Sequence, residues 1–142
     1  MPKLSWRAIL LSGLVVGMFV NVGEALLLLE VDPTVMQALP DEAARILDAE
    51  AGSAPFYLGY GFVVGVVAMW LYSALAPRYG SGWKPAAYVG VALFSLYEAK
   101  YIILDVFFVQ QPLITVGFNV AVMLAACVGG MIAGARLGEV VG

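Results

Sequence analysis

Four apolar stretches, at residues 8–29, 55–76, 85–108 and 113–135, run between segments that are polar or rich in Gly and Pro. As a helix rising about 1.5 Å per residue, the first is about 33 Å long, enough for a hydrocarbon core of roughly 30 Å. The pattern predicts an all-α bundle of four transmembrane helices in a single membrane domain covering residues 1–142. A cleaved leader would have a shorter apolar region followed by a small-x-small site, so the first run is expected to stay as a span.

The intervening segments set the topology. Residues 30–53 carry Glu30, Asp32, Asp41, Glu42, Asp48 and Glu50 against Arg45 alone, a local net charge of −5. Within them, residues 40–47 place Pro and two acids in a first turn, then Ala43, Ala44, Ile46 and Leu47. That order suits a short amphipathic helix over the bundle mouth. Residues 77–84 (Pro-Arg-Tyr-Gly-Ser-Gly-Trp-Lys) form a basic turn, and Gln110-Gln111-Pro112 an uncharged one. Lys3, Arg7, Arg78, Lys84 and Arg136 fall on one side of the four spans and only Arg45 on the other. The positive-inside rule then puts both termini in the cytoplasm and the acidic loop outside. Trp6, Tyr79 and Trp83 at one boundary, with Phe56 and Tyr57 at the other, fit interfacial anchoring.

Composition agrees and removes several chemistries. The 142 residues are 63% hydrophobic and 12% charged, far from the make-up of a soluble domain. With no histidine, His-ligated haem and His-containing zinc or copper sites are not expected. A single cysteine, Cys127, excludes an internal disulfide and paired-thiol redox chemistry. No nucleotide-binding or Cys-based metal motif is present; Ser81-Gly82-Trp83-Lys84 matches only the bare S-x-x-K pattern. Neither an enzyme, a cofactor, a metal nor a nucleic-acid partner is expected.

Polar residues inside the spans carry the functional signal. Counted inward from the boundaries, Asn21, Glu24, Tyr57, Tyr60, Glu98, Lys100, Tyr101, Asp105 and Asn119 gather in the same half of the membrane, with every span contributing. Ionisable groups are costly there and persist when they pair, face the bundle interior or line a water-filled cavity. At about 100° per residue, Glu98, Tyr101 and Asp105 share one face of the third span, and Lys100 points about 160° away from Glu98. The former face is expected to look inward with Asn21 and Glu24. Lys100 reaches a carboxylate of another helix, snorkels outward or enters an interface. Burial away from a cation favours the protonated form of a carboxylate, which makes Glu24 and Glu98 candidates to bind and release protons.

Small residues recur every fourth position: Gly13 and Gly17, Gly61 and Gly65, then Ala126, Gly130, Gly134 and Gly138. Such stripes let helix backbones approach closely in lipid, within one chain or across an interface with a second copy or another membrane partner.

Asn21-Val22-Gly23-Glu24 in the first span and residues 71–84, with Leu71-Tyr72 followed by Pro77-Arg78-Tyr79-Gly80, resemble small bacterial four-helix integral membrane proteins of unknown function. The resemblance implies a multi-pass protein of the bacterial inner membrane and brings no activity with it. The residues themselves favour an outward-half polar cavity that binds or moves a small polar solute, ion or proton. The alternative is a non-catalytic subunit or scaffold whose polar network fixes helix packing and oligomerisation.

Overall fold

A computed structural model describes residues 4–29, 54–104, 106 and 112–142. The proposed amphipathic helix at 40–47, Arg45, Asp105 and the Gln110-Gln111 turn lie outside the described residues, as do the side chains of Lys100 and Tyr101. The described residues form four helices: α1 (Trp6–Leu29), α2 (Ala54–Tyr79), α3 (Trp83–Leu104) and α4 (Leu113–Val141). Three contain stretches long and apolar enough to cross a membrane: Trp6–Leu27, Pro55–Tyr79 and Leu113–Val141. The fourth, α3, has 22 residues and carries Lys84, Glu98 and Lys100 along its length.

Local chemistry explains most helix ends. The Ser5 hydroxyl accepts from the Ala8 N–H at 3.2 Å, capping α1. Past α2, Gly80 takes φ +86° and Gly82 φ +110°, backbone states that glycine enters without Cβ strain, and the chain reverses within three residues into α3. Pro112 stands at the N-cap of α4, where its carbonyl accepts from Thr115 and Val116 at 2.9 and 3.1 Å. Two helices outrun their sequence boundaries at the C-terminal end. α2 passes through Pro77 to Tyr79, because a proline close to the C-terminus costs one hydrogen bond and the Gly80 turn ends the helix instead. α4 continues beyond Arg136 to Val141, because Gly138 still packs on Leu4 and Ser12 of the opposing chain segment.

Neighbouring helices run antiparallel. Along α1, Gly13, Gly17 and Asn21 meet Val66, Phe62 and Gly61 of α2 in descending order, while Gly23 and Gly138 mark the two ends of the α1–α4 contact. The most extensive packing joins α1 to α2 and α1 to α4, followed by α3 to α4. α2 and α3 touch only lightly, and α1 and α3 stand across the bundle diagonal.

Backbone proximity follows the glycines. A Cβ at Gly13 would lie 2.5 Å from Val66 Cα, and one at Gly17 2.7 Å from Phe62 Cα. At Gly65 it would strike the Gly13 carbonyl and the Gly17 N–H. A Cβ at Gly130 or Gly134 of α4 would likewise lie 2.8 Å from Phe19 Cβ or 2.7 Å from Val16 Cγ2 of α1. Around these contacts Val16, Met69, Tyr72 and Met131 form the core toward the termini, and Val20, Met123 and Cys127 the core toward the other end.

Candidate functional site

One turn of α1 engages all three other helices. Residues three apart lie on neighbouring but distinct directions around a helix, and Asn21, Gly23 and Glu24 use three of them. Asn21 is buried, and its Nδ2 donates to the Leu58 carbonyl of α2 at 3.1 Å. Its Oδ1 sits against Gly61, where a Cβ would collide with it. Gly23 turns to α4, where a Cβ would fall 2.8 Å from Ala126 Cβ and 3.0 Å from Met123 Sδ. Glu24 faces α3 and accepts the Tyr97 hydroxyl at 2.6 Å.

Tyr97 is held from two sides. Its ring packs on the Val20, Met123 and Cys127 cluster and stacks on Tyr60 of α2, with centroids 5.9 Å apart and planes inclined 21°. An aromatic body in apolar surroundings with a polar tip suits this placement. The 2.6 Å separation is that of a short O–H···O hydrogen bond. Next to it in sequence, Glu98 is buried, with 8% of its surface exposed. The arrangement therefore joins a half-buried carboxylate to a phenol in the half of the bundle away from the termini, with the buried Glu98 at the next position of α3.

Other polar positions are placed differently. Tyr60 is exposed on its outer side and reaches Glu24 only through Tyr97. Tyr57 is exposed, in edge contact with Phe56 at 5.8 Å, and Asn119 is partly exposed on α4. Lys100, Tyr101 and Asp105 fall outside the described side chains, so the geometry includes none of them.

Tyr97 is the residue that sequence reasoning missed. It lies about 100° around α3 from Glu98, at the edge of the face built on Glu98, Tyr101 and Asp105, about 40° from Tyr101. A depth count extended to every hydroxyl would have found it: Glu24 is five residues from the end of α1 and Tyr97 seven from the end of α3.

No protein-family model, curated protein or solved structure matches this chain. The site must therefore be read from its own geometry. Concavities open on α2 and α3. A groove of about 290 Å³ between α2 and α3 is lined by Tyr60 and otherwise by aliphatic side chains, and a shallow hollow of about 180 Å³ is lined by Trp83, Lys84, Ala87 and Tyr88. Neither takes in Asn21, Glu24 or Glu98.

Proposed function

We propose that this chain is a non-enzymatic, four-span protein of the bacterial plasma membrane, with both termini cytoplasmic, that binds or moves a proton at Glu24. The Glu24–Tyr97 hydrogen bond carries the reading. A carboxylate in the hydrocarbon region is expensive unless its charge is compensated. One phenol donor compensates part of it, and proton uptake compensates the rest without requiring a chamber. Glu98, buried one residue from Tyr97, supplies a second carboxylate for transfer. Of the solutes considered from sequence, a proton makes the least demand on space; a small cation or polar solute would need a polar cavity joining the site to water.

Support for four spans comes from α3 having a length close to that of α1 and lying antiparallel to α2 through a three-residue turn. Support for the orientation comes from Arg7, Arg78, Lys84 and Arg136 lying toward the end where Gly142 meets Leu4.

A scaffold role is the second reading, favoured by the way Asn21, Gly23 and Glu24 tie α1 to the three other helices. In that reading the bilayer is a ligand, and a second copy or membrane partner would dock on a surface other than the glycine stripes, which are taken up by α1–α2 and α1–α4 contacts within the chain. Proteoliposomes with a trapped pH indicator distinguish the two. Proton movement through Glu24 predicts a pH response on imposing a potential in the wild-type chain, lost in folded Glu24→Gln and reduced in Glu98→Gln. A wild-type chain that passes no protons and changes no indicator signal sinks the proton reading. Loss of assembly in the same variants then supports the scaffold.

A further inference from the structure

The first turns of α3 carry a hollow of about 180 Å³ lined by Trp83, Lys84, Ala87 and Tyr88. Its shape follows from the sequence. Ala87 stands one helical turn from Trp83 and Tyr88 one turn from Lys84, so a single methyl group forms the floor among three long side chains. At about 30 Å³ per water the hollow has room for about six, enough for a phosphate group.

The hollow matches a membrane surface in depth and chemistry. From Trp83 to Tyr88 the helix rises about 7.5 Å, close to the roughly 5–8 Å that headgroups add on each side of a hydrocarbon core. Trp83 and Tyr88 are 58% and 72% exposed, and amphipathic rings at that depth lie among headgroups. The Lys84 ammonium stands 5.8 Å from the Trp83 ring centroid, a cation–π contact that keeps the charge at the hollow. The start of the 22-residue α3 adds the partial positive charge of a helix N-terminus. No acid is among the described residues that line the hollow, and Glu139, an acid at this end of the bundle, accepts the Tyr72 hydroxyl instead.

We propose that this hollow is a headgroup site for an anionic phospholipid, with the Lys84 ammonium on the lipid phosphate and the Trp83 and Tyr88 rings against its glycerol and the first carbons of its chains. Net charge sets the preference, because a zwitterionic lipid brings a cation of its own beside the phosphate. A soluble phosphate would use Lys84 and leave both rings without an apolar neighbour. Two-fold docking of this face on a second copy would oppose Lys84 to Lys84. The site requires the α2–α3 turn to lie at a membrane surface and is independent of proton binding at Glu24.

The test uses the full chain in neutral detergent, with bound lipid counted by native mass spectrometry and folding checked by thermal unfolding. Phosphatidylglycerol and phosphatidylcholine of identical acyl chains are added separately. The wild type is expected to retain phosphatidylglycerol preferentially by about five-fold, the effect of one cation near an anionic surface. Lys84→Gln should bind the two lipids equally. Arg78→Gln removes an exposed cation of the same turn that does not line the hollow, and should keep the preference. Ala87→Trp fills the hollow while leaving the charge, and should lose it. Because Lys84 and Arg78 are both exposed, the two charge variants should unfold at the wild-type Tm without lipid. Equal binding by the wild type overturns the proposal, as does a preference that survives in Lys84→Gln or Ala87→Trp. Equal loss in Lys84→Gln and Arg78→Gln would show a diffuse basic surface and overturns it too. So would displacement of the lipid by glycerol phosphate at the same concentration, or a second chain bound where lipid is expected.

Discussion

The Tyr97 hydroxyl donates to the Glu24 carboxylate at 2.6 Å across the bundle diagonal, between two helices whose backbones scarcely meet. Backbone contact between α1 and α3 is therefore slight, and the polar bond adds a direct link to the side-chain packing of Tyr97 on the cluster containing Val20. Tyr97→Phe keeps the ring and its stack on Tyr60 while removing only the donor. Stability in detergent should fall by about 0.6–2 kcal/mol, the range measured for hydrogen bonds between membrane helices. A double-mutant cycle with Glu24→Gln should return a coupling of the same order by denaturant unfolding. Additive single effects would show that the bond contributes nothing to folding.

Helix contact at the α1–α2 seam depends on missing side chains. A methyl group at Gly65 would press on the Gly13 carbonyl and the Gly17 N–H, backbone atoms that cannot rotate aside. Gly65→Ala should cost about 1–3 kcal/mol by overpacking. Gly59, on the same helix, has nothing within 4 Å of where its Cβ would lie. Gly59→Ala should be neutral or stabilising by up to about 1 kcal/mol through helix propensity. Thermal unfolding of the two variants side by side tests the seam, and equal losses would contradict it.

The helices were legible because a bilayer demands long apolar runs, and three of the four runs satisfy that demand in α1, α2 and α4. Their ends were less legible. Pro77 and Arg136 read as stop signals, yet a turn built on Gly80 and a packing contact at Gly138 set the observed ends. At the site, Glu24 and Glu98 announce themselves as acids in apolar surroundings. Tyr97 does not, since a tyrosine in a span is ordinary until a partner at its depth is known. The divergence of Asn21 and Glu24 was equally hidden. Asn21 and Glu24 were expected to look inward together, but the roughly 60° between residues three apart sends the amide to α2 and the carboxylate to α3.

The α2–α3 turn stores a conformational requirement at Gly82, whose φ of +110° lies where side-chain-bearing residues are strained. Open space surrounds the missing Cβ, so any penalty is conformational and not steric. Gly82→Ala should destabilise by about 1–3 kcal/mol. Ser81→Ala, at an exposed position between the two glycines, should change little. A Tm for Gly82→Ala equal to that of the wild type would mean that the turn can reverse by another route.

Tyr72 holds the same turn from inside. Its side chain is almost wholly buried, and its hydroxyl accepts the Gly82 N–H at 3.0 Å while donating to Glu139 of α4 at 3.1 Å. One oxygen thus joins α2, the turn leading into α3, and the end of α4. Tyr72→Phe removes both bonds without altering the ring, for a loss of about 1–3 kcal/mol at about 0.5–1.5 kcal/mol per bond. The two bonds can be separated, because Glu139→Gln retains an acceptor for the hydroxyl and leaves the Gly82 bond in place. Amide exchange at Gly82 should therefore accelerate in Tyr72→Phe and stay near wild type in Glu139→Gln. If Gly82 exchanges at the wild-type rate in Tyr72→Phe, the glycine backbone alone holds the turn and the hydroxyl serves only Glu139.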